Sequence, residues 1–167
     1  MDTFYQSVTT FCFTLLGLWW GVLQLRHDEW TTDPERRRLA HSVYLSFLIP
    51  GVMSLGAQLA ADARWVWQVV FFVAAVGGLI SALFFIRTTG AGAAPGLMRR
   101  ARWLVLVLYG LIAVFAAFPD WAAVLGLKPL QVEGLVLALL VFLGVNFAWA
   151  YLAEPKRAPA TLATPSD

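Results

Sequence analysis

Apolar residues fill five long stretches of this chain, and polar residues collect between them. The stretches cover about residues 4–25, 39–59, 65–86, 103–118 and 130–152. A helix needs about 20 mainly apolar residues to cross the hydrocarbon core of a bilayer. No Lys, Arg or Asp falls in the middle of any stretch, where each would cost about 2.5–3.5 kcal/mol. The pattern predicts an all-α integral membrane protein, a bundle of five transmembrane helices over residues 1–154. A Pro-, Ala- and Thr-rich tail follows at 155–167 and is expected to be disordered in the cytoplasm. The first stretch lacks a basic start and a small-residue cleavage site, so it reads as a mature helix rather than a signal peptide.

Composition agrees with the pattern. Hydrophobic residues make up 60% and charged residues 13% of the 167, against about 45–50% and about 25% in soluble domains. The placement of charge adds a direction. Arg26, Arg36, Arg37, Arg38, Arg87, Arg99, Arg100, Arg102, Lys156 and Arg157 fall on one side of the five spans, and only Arg64 and Lys128 on the other. The positive-inside rule places the larger set in the cytoplasm. The N-terminus is then outside, the C-terminus inside, and the location a cell membrane, as in the inner membrane of a bacterium. Trp65, Trp67 and Trp121 are expected at the outer interface, and Trp30, Trp103, Trp149 and Tyr151 at the inner one.

The connections carry local signals. Asp33-Pro34-Glu35 predicts a helix start, because the Asp side chain caps free N–H groups and Pro suits the first helical position. Arg36, Arg37 and Arg38 then lie on the first turns of the second long helix, placed to meet anionic headgroups or only to set topology. The Thr88–Gly96 loop has glycines spaced G-x-G-x-x-x-G with no preceding strand, so it reads as a connector and not as a phosphate cradle. A tight turn near Asp62 predicts a hairpin of the second and third spans. Between Pro119 and Pro129, Asp120 is placed to cap a short interfacial helix.

The first span carries the most informative pattern. Thr3, Gln6, Ser7, Thr10, Thr14, Gly17, Gly21 and Gln24 recur in steps of three and four, along one helical face. Such a stripe lines a watery path or packs against another helix, and Gly17-x-x-x-Gly21 favours close packing. In the second span Pro50 removes a backbone hydrogen bond and Gly51 follows it, which predicts a kink. Ser42, Ser46 and Ser54 are candidates to bond across to the stripe. His41 is a candidate pH-responsive or anchoring group. Glu133 is the acid closest to the hydrophobic interior, expected shallow enough to reach water. Asn146 is expected to bond between helices.

Catalysis finds no support in these residues. His27 and His41 are too far apart for a one-helix metal pair, and the single Cys12 precludes an intramolecular disulfide. No cofactor or metal site is expected, and no basic domain suggests nucleic acid. The expected partners are the lipid bilayer and either further copies of the chain or another membrane protein. Two functions fit: a homo-oligomeric channel or transporter for ions or small solutes, lined by the first and the kinked second helix, or a non-catalytic accessory or assembly subunit of a larger membrane complex.

Overall fold

The computed structural model describes residues 2–60, 63–88, 96–124, 126 and 128–153. All its regular structure is helical: α1 (Asp2–Leu25), α2 (His27–Thr32), α3 (Pro34–Leu59), α4 (Arg64–Thr88), α5 (Gly96–Ala117), α6 (Trp121–Val124) and α7 (Pro129–Ala153). Four of these, α1, α3, α4 and α7, are long and apolar enough to cross a membrane, while the apolar stretch of α5 is shorter, Trp103–Ala117. The predicted tail, the Asp62 turn and most of the glycine connector lie outside the described residues.

Local chemistry sets the boundaries. Asp33 has an extended backbone and caps α3, its side chain accepting from the N–H of Glu35 at 2.8 Å and of Arg36 at 3.5 Å, with Pro34 in the first turn. The helix therefore starts five residues before the apolar stretch that predicts it. Asp33→Ala is expected to lower stability by about 0.5–2 kcal/mol, read as a lower thermal midpoint in mild detergent. Asp33→Asn should keep most of the cap. The predicted short helix before Pro129 is present as α6, followed by Gly126 at φ +67°.

Close contacts order the long helices. Tyr5 at the start of α1 donates to the carbonyl of Leu130 at the start of α7 (2.6 Å). Arg26, just past α1, and Arg36 of α3 each lie 5.9 Å from the ring of Tyr151, near the end of α7. These contacts define an arginine end of the bundle and an opposite, distal end. Gln68 of α4 donates to the carbonyl of Ala116 of α5 (3.3 Å), and Gly78 meets Tyr109 further along the same pair. So α5 runs antiparallel to α4, from the arginine end to the distal end. Helix α3 packs on α1, α4 and α7, and α5 lies between α4 and α7.

One apolar cluster fills the distal half and the centre, around Met53, Phe71, Ile112 and Leu137. A second occupies the arginine end, around Trp19, Val43, Phe47 and Tyr151. Glycines allow the closest approaches: a Cβ on Gly56 would strike Val70 of α4, and one on Gly51 would fall 3.2 Å from Cys12 of α1.

Candidate functional site

The stripe on α1 points away from the bundle. Tyr5, Cys12, Trp19 and Leu23 are buried, while Thr3, Gln6, Ser7, Thr10, Thr14, Gly17, Gly21 and Gln24 are all exposed. Thr3, Ser7, Thr10, Thr14, Gly17, Gly21 and Gln24 alternate in steps of four and three throughout, the spacing of a left-handed helix–helix seam. A column of Phe4, Phe11, Leu18 and Leu25 runs along one side at seven-residue steps, and Phe13 and Trp20 along the other, all exposed. Ser7 and Thr10 return their hydroxyl protons to the carbonyls of Thr3 and Gln6 in their own helix. Above Gly17 and Gly21 there is nothing within 4 Å of where a Cβ would stand.

The structure therefore separates the predicted lining residues. Pro50, Gly51 and Ser54 are buried on α3, facing inward, on the other side of α1 from its stripe. Helix α3 continues through Pro50 from Pro34 to Leu59, and Gly51 serves the contact with Cys12 and Phe13. Ser42 and Ser46 do not bond across to α1. They donate to the carbonyls of Leu39 and Val43 in their own helix, because a serine hydroxyl one turn along reaches a local carbonyl more readily than a distant helix. The Oγ of Ser54 is buried without a hydrogen-bond partner. A side-chain bond between α3 and α1 forms elsewhere, from Gln58 Nε2 to Thr9 Oγ1 at 2.6 Å. Thr9 stands one position off the stripe, on the side that turns inward.

Two charged groups depart from expectation. Glu133 does not reach water: it is 0% exposed, and neither carboxyl oxygen has a hydrogen-bond partner among the described residues. Its neighbour Gly134 packs directly against Phe4 and Tyr5 of α1, and the Tyr5 hydroxyl is committed to Leu130. An unsatisfied buried polar group costs about 1–3 kcal/mol, and more when it is charged. Arg36 is also buried, at 7% exposure, against the Tyr151 ring. Of the three candidate headgroup residues, Arg37 is exposed and Arg38 half-exposed, with the Arg38 Nε donating to Pro34.

The remaining candidates lie at the surface. His41 is exposed and its ring stacks on Tyr44 at 6.0 Å. Asn146 is exposed and donates to Phe142 of its own helix, so it makes no interhelical bond. Trp67 and Tyr151 are buried within the bundle, whereas Trp65, Trp103, Trp121 and Trp149 are exposed. Among the described residues, no three His, Cys, Asp or Glu side chains gather into a metal-binding group.

Sequence reasoning passed over Tyr5, Thr9, Gln58, and the grouping of Arg26 and Arg36 on Tyr151. For Gln58 a signal existed, an amide in an otherwise apolar run that must find a partner. For the others the partners come from helices 49 or more residues away in α3 or α7, which no local pattern reports.

Fold and site together define a helical bundle with the apolar span lengths of a membrane protein and an outward polar seam on its first helix. The chain matches no known protein-family model, no curated protein and no solved structure.

Proposed function

We propose that this protein works as an assembling subunit in a membrane, and that α1 is the surface through which it assembles with a second copy. The seam on α1 carries the reading. Ser7 and Thr10 donate within α1, but lipid tails offer no hydrogen-bond partners to the amides of Gln6 and Gln24, whereas a second helix offers both close backbone contact and shared hydrogen bonds. Small residues along the seam and large apolar columns on both sides match what a neighbouring helix needs: a groove for its backbone and walls for its side chains. Copies related by a two-fold axis along the membrane normal would present the same seam to each other, Gln24 facing Gln24.

The same reading takes α5 as a fifth span, because it crosses the bundle between α4 and α7. It keeps the N-terminus outside, the C-terminus in the cytoplasm and a bacterial inner membrane as the location.

Gly17→Leu together with Gly21→Leu tests the seam without disturbing the subunit, since both positions are open within the chain. The wild type is expected to form a defined oligomer in mild detergent, and the double variant to weaken it about tenfold or more, about 1.4 kcal/mol. Light scattering or single-molecule photobleaching reads the change. A wild type that is monomeric at every concentration, or a double variant that assembles normally, overturns the reading.

A second function is favoured by the outward position of Thr10 and Thr14. Phe47, Met53, Phe71 and Leu137 are buried between the helices, and a channel or transporter path for ions or small solutes would run between copies, along the seam. Single cysteines at Thr10 and Thr14, in a Cys12→Ala background, separate the two. Labelling by a membrane-impermeant thiol reagent supports a path, and protection supports a packed seam in an accessory or assembly subunit.

A further inference from the structure

A cavity of about 450 Å³ lies between α3, α4, α5 and α7 in the half of the bundle nearer the arginine end. That volume falls within the range of about 300–1,000 Å³ typical of small-molecule sites. Its walls include Leu45, Ile49, Val105, Leu140, Leu143 and Phe147. Three serines also line it, but Ser42, Ser46 and Ser81 each donate to a carbonyl of their own helix, those of Leu39, Val43 and Gly77. Their protons are thus committed, and the walls present mainly hydrocarbon to an occupant. A polar solute entering this space would give up water for little in return.

The cavity has two further properties. Ile80 and Phe84 belong to its lining and are also 62% and 65% exposed, so it communicates with the flank of the bundle. Towards the arginine end its lining finishes in Arg38 and His41, with Arg37 exposed beside them and Arg87 exposed at the end of α4 beside Ile86. Glu35, exposed, is the acid nearest in sequence on α3, and Asp33 is engaged as the cap of that helix. Among the described residues lining or flanking this end of the cavity, the balance is cationic. An apolar chamber open to the flank, with cationic groups at its membrane-surface end, has the layout of an acyl chain below an anionic headgroup.

We infer that this cavity binds one acyl chain of an anionic phospholipid from the leaflet at the arginine end, with the lipid phosphate held at Arg38 and His41. The site is independent of the α1 seam, which lies on a different face, so assembly and lipid binding fail or succeed separately.

The test uses the full chain, purified in mild detergent and examined by native mass spectrometry. Phosphatidylglycerol, phosphatidylcholine with the same chains, and free oleate are added in turn. One phosphatidylglycerol per chain should survive detergent removal in preference to phosphatidylcholine. Arg38→Ala should weaken that retention about fivefold, the worth of about one cation near an anionic lipid surface. Leu143→Trp and Ser81→Phe, filling the cavity from opposite walls, should each remove the retained lipid while the protein keeps its helical circular dichroism. Equal retention of the two phospholipids overturns the inference, as does retention of oleate without phospholipid. So does undiminished lipid binding in a folded, filled variant. Should both filled variants fail to fold, the phospholipid comparison on the wild type and on Arg38→Ala decides by itself.

Discussion

Trp19→Ala is expected to lower the stability of the bundle by about 3–5 kcal/mol, the range for removing a buried large aromatic side chain. Trp19 is 3% exposed and joins three helices at the arginine end. Its Nε1 donates to the carbonyl of Ala40 in α3 at 3.1 Å. Its ring meets Tyr151 of α7 edge-on, with centroids 5.2 Å apart. Tyr151 in turn carries the guanidinium groups of Arg26 and Arg36. Truncation opens a void at the centre of this cluster and removes the Trp19 contact from the Tyr151 ring. Trp19→Phe keeps an aromatic ring but gives up the hydrogen bond, about 0.5–1.5 kcal/mol, so it should fall between the wild type and Trp19→Ala. Reversible unfolding in mixed micelles, followed by circular dichroism, measures both. A Trp19→Ala protein within 1 kcal/mol of the wild type would mean that α1 does not dock on α3 and α7 in this way.

Adjacent glycines on α4 should respond in opposite senses. A Cβ on Gly78 would stand 2.5–2.7 Å from three ring atoms of Tyr109, a buried residue on α5. Gly78→Leu should therefore force α4 and α5 apart and cost about 1–3 kcal/mol or more. Gly77 is exposed, with nothing within 4 Å of its Cβ position. Gly77→Leu should be neutral or raise stability by up to about 1 kcal/mol, since glycine is the weaker helix former. Thermal midpoints of the two variants in one detergent test the pair. Equal losses in both would contradict the packing of α4 on α5.

That pair also marks how far the sequence is legible. Two neighbouring glycines in an apolar run look alike, and only the position of Tyr109 distinguishes them. The helices themselves were readable because their signals are local. Run length predicts five apolar helices, of which four are long and apolar enough to cross a membrane, and Asp33-Pro34 predicts the start of α3 through a cap that involves only the next three residues. Residue types around Asp120 likewise predict α6. Contacts between helices were not readable. Glu133 stands near the start of α7, where position alone suggests access to water, yet Phe4 and Tyr5 of α1 pack against the adjacent Gly134. The Asp33 cap puts Arg36 on the first turn of α3, but its burial depends on Tyr151, more than a hundred residues further on.

The face of α1 shows the division most clearly. The sequence by itself determined that the chain forms long apolar helices, and that α1 carries hydroxyls, amides and glycines along a single stripe, because helical periodicity is a property of one segment. It left undetermined whether that stripe turns towards the bundle or away from it. In water, polarity answers such a question, since apolar faces turn inward. In a bilayer the surroundings are as apolar as the protein interior, and that rule loses its force. Shape decides instead: Tyr5, Cys12, Trp19 and Leu23 fit against α3 and α7, and the seam is left facing out.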